Sequence, residues 1–357
     1  MISICMIVKD EAKILDKCLQ ELVLFGYEII IVDTGSTDET KTIAYQYTDK
    51  VFDYIWQQDF AAARNYAAEQ AGQEYILSID SDEIVTKADK TELEAEIRKH
   101  PKDIGRLCRI NDYSRGKEIY SSKERVSRLY SKEYYHYEGR IHEQIVSLKG
   151  NANVFYDIPI EMRHVGYEGD LNIRKLKTQR NINLLIIQME LEGEDPYLLY
   201  QLGKSYYMQE EYQEAYAWFE KAVAYDLNPD LEYVQDLIET YGYSLLNTGQ
   251  YAKALLMENI YQDFATSADF VYLMGLIYMN NAKFTEAIRE LYKATEMKEY
   301  KMEGVNSFRA YYNIGVIYEC LGMKNKARDF YEKCGEYPLA ENRLKILGNN
   351  GLNEKTL

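Results

Sequence analysis

Two aspartates, Asp80 and Asp82, flank Ser81 directly after the apolar run Glu74–Ile79. In an extended segment, residues two apart project to the same side, so both carboxylates can face one divalent cation. Mg²⁺ or Mn²⁺ takes such oxygen ligands and leaves room for substrate phosphates. Held there, the cation would stabilise charge gathering on a departing diphosphate. A plainer reading has Asp80, Ser81 or Asp82 capping a helix that follows, and the position after a buried strand weighs against it. Asp33 ends a second apolar run, Glu28–Val32, and opens the turn Asp33-Thr34-Gly35-Ser36-Thr37-Asp38. At the edge of a sheet its carboxylate could accept hydrogen bonds from a nucleotide base or ribose. Capping explains Ser36 to Asp38 equally well. Arg64 and Asn65 follow a run of small residues, and the Arg64 guanidinium could bridge carboxylate and phosphate or form a surface salt bridge.

Strands and crossover helices must carry these groups. Ser3–Val8, Glu28–Val32 and Glu74–Ile79 read as strands; Glu11–Phe25 and Ser36–Tyr47 have apolar positions at helical spacing, and Phe60–Ala71 is rich enough in alanine to pack closely on a sheet. Their alternation predicts an α/β, Rossmann-like domain with a mostly parallel sheet. From about Gly105 to Val154 the segments are shorter, more polar and Tyr-rich, as in Val126–Tyr130 and Gln144–Leu148, which predicts antiparallel strands and irregular loops.

Strand signals end at Leu171. Leu171–Glu192 reads as a linking helix stopped by Gly193-Glu194-Asp195-Pro196. Beyond it, Gly203, Gly242, Gly275 and Gly315 are each followed twelve residues later by an alanine: Ala215, Ala254, Ala287 and Ala327. Small residues at those places let two antiparallel helices approach, and the pattern resembles the tetratricopeptide repeat. The units are spaced by 39, 33 and 40 residues, so two of them must hold longer helices or loops than the usual repeat. The expected division is a catalytic domain over 1–170, the linking helix over 171–195, an all-α repeat domain over 196–347 and a tail over 348–357.

Composition agrees with two globular units: 357 residues, 46% of them hydrophobic, and only five prolines. A net charge of −16 argues against nucleic acid as a partner, because phosphate-backbone affinity comes from Lys and Arg. The five cysteines are scattered and read as reduced. No apolar run approaches the length of a membrane span, and the opening MISICMIVKDEA has no basic leader, so a cytoplasmic protein is expected.

Met6-Ile7-Val8-Lys9-Asp10-Glu11, Ile30 to Asp38, Ala63-Arg64-Asn65 and Ile79-Asp80-Ser81-Asp82-Glu83 together resemble family 2 glycosyltransferases of the GT-A fold, in family order, over roughly residues 1–165. That resemblance implies a UDP-sugar donor, inversion at the anomeric carbon, Asp33 near the uracil, and Asp80 and Asp82 on Mn²⁺ or Mg²⁺. It places Val8, Asp33, Arg64, Asp80, Ser81 and Asp82 on the donor. Two later motifs fit the same picture, Gly139-Arg140-Ile141-His142-Glu143 and Arg163-His164-Val165-Gly166-Tyr167. Inverting transfer needs a base on the acceptor side, for which Glu143 is the candidate. His142 would orient acceptor or diphosphate, and His164 would complete the metal shell with Asp80 and Asp82. Either histidine could equally be an ordinary structural residue.

A catalytic domain of this kind followed by tetratricopeptide repeats is similar to bacterial enzymes that glycosylate peptides, notably bacteriocin S-glycosyltransferases of the sublancin type. Arg140 to Gln144, His164 to Tyr167 and Lys177-Thr178-Gln179-Arg180-Asn181-Ile182-Asn183-Leu184 carry that likeness. The resemblance implies a sugar such as glucose or N-acetylglucosamine passed to Cys, Ser or Thr of a peptide held near the repeats. A cysteine thiol ionises near pH 8.5 and would ask less of the base than a hydroxyl. The repeats could instead form a homodimer or brace the catalytic domain. A saccharide or lipid-linked acceptor, or a repeat scaffold without catalysis, are the alternative readings.

Overall fold

The computed structural model describes residues 1–115, 118–165 and 171–353, and divides into two compact units, Met1–Gly193 and Glu194–Leu357. The first unit runs β1 (Ile2–Val8), α1 (Leu15–Leu22), β2 (Glu28–Asp33), α2 (Thr40–Ala44), β3 (Val51–Asp53), α3 (Phe60–Gln70), β4 (Tyr75–Ser78), β5 (Glu83–Ala88), α4 (Lys90–Lys99), β6 (Ile104–Arg115), β7 (Glu118–Ser131), β8 (Tyr135–Glu138), β9 (Gln144–Ser147), β10 (Phe155–His164) and α5 (Leu171–Glu192). The helix expected to link two domains therefore lies within the first unit.

Eight strands form one sheet in the order β3-β2-β1-β4-β7-β6-β10-β5, with four parallel pairings and three antiparallel ones. Successive strand residues point to opposite faces. Ile4, Met6, Ile31 and Leu77 pack with α1 and α4, while Cys5, Ile30, Val32 and Ile76 meet the alanines of α3. Because β7 runs against both β4 and β6, and β10 runs with β6, the end of β10 reaches the same edge as the ends of β1, β2 and β4. That edge collects Val8, Asp33, the loop Asp80–Asp82 and His164.

Several local expectations change. Asp80–Asp82 is followed by β5, not by a helix, so the triplet caps nothing. The helices after β1 and β2 are shorter than their apolar spacing predicts. Their leading residues instead latch two loops together: Asp10 N donates to Ser36 Oγ at 2.9 Å, Glu11 N to Thr40 Oγ1 at 2.8 Å, and Thr37 N to Asp10 Oδ1 at 2.7 Å. Side chains of this type compete with helix by bonding nearby backbone. The region after Gly105 opens with a hairpin longer than expected, β6 and β7, of 12 and 14 residues, before the short antiparallel strands. β8 and β9 form a separate two-stranded sheet.

The second unit is helical: α6 (Pro196–Met208), α7 (Tyr212–Ala222), α8 (Glu232–Asn247), α9 (Tyr251–Ala254), α10 (Tyr261–Phe264), α11 (Ala268–Asn280), α12 (Phe284–Glu296), α13 (Phe308–Cys320), α14 (Lys324–Glu332) and α15 (Pro338–Asn353). Asp195 caps α6 by accepting from Tyr197 N and Leu198 N, with Pro196 in the first turn. A Cβ added at Gly203, Gly242, Gly275 or Gly315 would lie 2.4–2.7 Å from Phe219, Leu273, Leu291 or Tyr331. The paired alanines Ala215, Ala254, Ala287 and Ala327 are fully buried. The glycine–alanine offset thus marks helices in contact. The long spacings are taken up by loops such as 297–307, and in the second repeat a 3₁₀ segment, Leu255–Ile260, separates α9 from α10. The expected tail from 348 is helical as far as Asn353.

Candidate active site

Arg64 lies at the centre of the edge. It sits on α3, whose start is fixed by Asp59 accepting from Ala62 N. From there its guanidinium donates to Asp80 Oδ1 at 2.8 Å, Ser78 Oγ at 2.9 Å and Glu143 Oε1 at 2.5 Å. Its face also stacks over the Tyr137 ring at 5.5 Å. Only a planar fork with several donors can serve three acceptors in fixed directions. Asn65 fastens the β8–β9 hairpin to the same helix, donating to Tyr137 O and accepting from Tyr137 N, both at 2.9 Å. The loop of that hairpin is thereby set so that Glu143 meets Arg64. Within it, Gly139 has φ +93° and His142 has φ +50°, a conformation non-glycine residues seldom adopt.

Asp80 is held on both oxygens: Arg128 donates to Oδ2 at 2.5 Å, opposite Arg64 on Oδ1. Burial alone would raise its carboxyl, but Arg128 and Arg64 outweigh that and hold it well below the usual carboxylate range. Asp80 was expected as a metal ligand, and each of its oxygens accepts from a guanidinium. Ser81, expected on the donor, is 6% exposed. The Val8 side chain is in the core, and its carbonyl accepts from Thr34 N at 2.9 Å and Thr34 Oγ1 at 3.1 Å.

Asp82 and His164 do come together. Asp82 Oδ2 is 3.3 Å from His164 Nε2, Val165 N donates to Asp82 O at 2.9 Å, and Asn111 Oδ1 lies 3.1 Å from His164 Nδ1. Burial again opposes the charge on Asp82, and the bond from His164 keeps its carboxyl below its ordinary value. Among the described residues no set of three or more His, Cys, Asp or Glu side chains is placed to hold a metal ion. Gly166 and Tyr167, quoted with His164 in the sequence, lie outside the described residues. Asp33 Oδ1 accepts from Gly35 N at 3.0 Å and Ser36 N at 2.8 Å, while its buried Oδ2 has no partner. A buried carboxylate oxygen left so is expensive unless something completes it.

A second layer was not assigned from sequence. Glu83, fully buried, accepts from Arg128 Nη2 at 2.7 Å, from Arg109 Nη1 at 3.1 Å and from the backbone N of Asp80 at 3.1 Å. It ties the acidic loop to the β6–β7 hairpin. The available signal was Arg128 itself, a charge within the strand segment Val126–Tyr130.

Residues 3–151 match the family model described as glycosyl transferase family 2. The first unit carries a family 2 glycosyltransferase domain. Behind this family 2 domain, residues 196–229, 268–300 and 308–337 match tetratricopeptide repeats. The chain is 30% identical over 221 residues to the SPbeta prophage-derived glycosyltransferase SunS of Bacillus subtilis, covering 61% of this chain and 52% of that one. A TPR repeat-containing protein of Synechococcus elongatus is 29% identical over 62% of this chain and 56% of its own length. The lipopolysaccharide core biosynthesis glycosyltransferase LpsC of Rhizobium meliloti is 35% identical over 91 residues, 24% of this chain and 33% of that one. The chain thus spans about half the length of the first two relatives.

Proposed function

We propose that the chain is an inverting glycosyltransferase that moves a sugar from a UDP-sugar to a Cys, Ser or Thr side chain of a peptide. The observation that carries this reading is the meeting of Asp82 and His164, 82 residues apart, at the sheet edge beside a network built on Arg64. One carboxylate and one imidazole suit a divalent cation that draws its remaining ligands from substrate phosphates. Mn²⁺ fits this mixed oxygen and nitrogen pair, and would neutralise charge on the leaving diphosphate. Asp82 and His164 would hold it, without Asp80. Asp80 instead neutralises Arg64 and Arg128 and fixes the loop from which Asp82 projects. Asp33 Oδ2 would accept a hydrogen bond from the uracil or ribose, which answers its missing partner.

On the acceptor side, Glu143 would take the proton of the attacking thiol or hydroxyl, positioned by Arg64 through Oε1. His142, next to it on a constrained backbone, would orient the acceptor. The likeness to SunS and the repeats of the second unit support a peptide as acceptor, since such arrays present extended binding surfaces. The likeness to LpsC favours a second reading, a saccharide acceptor.

Thermal stabilisation by UDP and UDP-sugars, with and without Mn²⁺, tests the donor half, because a ligand of the native state raises its stability by mass action. A metal-dependent shift in the wild type that disappears in Asp82→Ala is the expected result. No shift with any nucleotide would remove the reading.

A further inference from the structure

Helix α5 forms one wall of a cavity of about 450 Å³ whose lining includes Trp56, Gln179, Arg180, Asn183, Leu184 and Ile187. We infer that this groove receives the acceptor, and that it selects a peptide bearing a carboxylate, which Arg180 binds. The inference rests on the glycosyl-transfer reading above and names the substrate class of that same site.

Arg180 is the residue that points to a ligand. Its guanidinium stacks over the Phe60 ring at 5.2 Å, and its Nε and Nη2 both fall on one amide oxygen, Asn181 Oδ1, at 3.3 and 3.2 Å. Among the described residues no carboxylate lies within ion-pair distance of it. Solvent reaches the side chain, yet the surrounding protein disfavours its charge and lowers its pKa. A guanidinium has five donors in a rigid fork suited to a carboxylate. Here the fork is held in place by stacking, and among the described residues the acid that acts on it, Glu11, is not within ion-pair distance.

The rest of the lining favours a peptide over a diphosphate. Leu176 and Ile187 form an aliphatic surface, and Trp56, edge-on to Phe60 at 4.7 Å, adds an aromatic one. Gln179 Nε2 donates to Asn183 Oδ1 at 3.1 Å, a pair of side-chain amides with further donors and acceptors for a peptide backbone. A diphosphate would leave the apolar surfaces unused. The groove is also tied to the elements that carry the proposed reacting groups. Phe60 N donates to Arg140 O at 2.9 Å, three residues before Glu143, and Lys177, one turn before Arg180, donates to Glu11 Oε1 at 3.3 Å beyond the end of β1. Lys177, Arg180, Leu184 and Ile187 recur at the spacing of one helix face.

The test offers alanine-based peptides with one central Cys or Ser and with Asp, Asn or Lys at each flanking position, together with the UDP-sugar that stabilises the protein. Sugar addition is read by mass spectrometry. At one flanking position the wild type should prefer Asp over Asn about tenfold in kcat/KM, mostly through KM, as befits a charge-assisted bond. Arg180→Gln should erase that preference and Arg180→Glu should turn it toward Lys, both keeping the melting shift given by UDP. Loss of the UDP shift in Arg180→Gln would overturn the inference and assign the guanidinium to the donor. An absent Asp preference, or one that survives Arg180→Gln, would overturn it as well. If UDP stabilises the protein and no peptide is modified, the acceptor inference fails and the donor reading stands.

Discussion

Glu143 is bonded to Arg64 and Asp82 to His164, and their replacements should fail in different ways. Replacing Glu143 by Gln keeps the shape and a hydrogen-bonding oxygen for Arg64 while removing the proton acceptor. Stabilisation by UDP and Mn²⁺ is expected to persist in Glu143→Gln, with sugar transfer lowered by a factor of about 10² or more. Normal turnover in single-turnover assays would assign the base elsewhere. The acidic triplet and Arg64-Asn65 were legible in sequence because each is a short run beside an apolar segment. The layer behind them was not. Glu83 meets Arg109 across 26 residues and Arg128 across 45, and those meetings depend on strand registers that shift near Gly105 and between Asp157 and Glu161. A one-residue slip sends a side chain to the other face, so a charged residue in a strand does not announce its partner. The pairing of Asp80 with two arginines was hidden for the same reason: its spacing from Asp82 is visible, but its second arginine, Arg128, comes from β7.

At the scale of helices, the repeat glycines were legible because contact and offset are both local. Their cost can be measured. In Gly203→Ala the new Cβ would stand 2.4 Å from Phe219 Cδ1, so the ring or α7 must move. Overpacking should outweigh the gain in helix propensity and destabilise by about 1–2 kcal/mol, read as a lower urea midpoint. Glu239 on α8 gives a pH test. Burial, with Asp269 and Asp236 nearby and Lys301 opposing, raises its carboxyl to about 7. Its Oε2 lies 3.3 Å from Lys301 Nζ, and Lys204 pairs with Asp236 close by. The folded state therefore holds this proton longer than the unfolded chain does. Stability from this group is fully present below the ordinary carboxyl value and declines as pH rises from there to about 7. The full effect is at most about 3 kcal/mol. Glu239→Gln should thus gain in melting temperature relative to wild type between pH 5 and pH 8. A difference that does not change with pH would show the carboxylate to be charged throughout.

For the molecule as a whole, the two compact units allow a calorimetric prediction. Ligands of the family 2 domain stabilise only the step in which that unit unfolds. UDP with Mn²⁺ should therefore raise a transition that Asp82→Ala leaves unresponsive, while Gly203→Ala lowers the melting of the repeats. Composition and alternation made this two-part plan legible, down to the α/β and all-α halves. They could not reveal that α5 belongs to the first unit, because an amphipathic helix records that it packs and not against what. One consequence of the strand order concerns concentration. The sheet ends at β3, only three residues long, and at β5, whose later positions include exposed Thr86 and Lys87. Short or charged borders give a neighbouring chain little backbone to pair with. Crowded solutions of this protein should accordingly resist fibrous association through the sheet, and clouding on concentration would have to begin elsewhere on its surface.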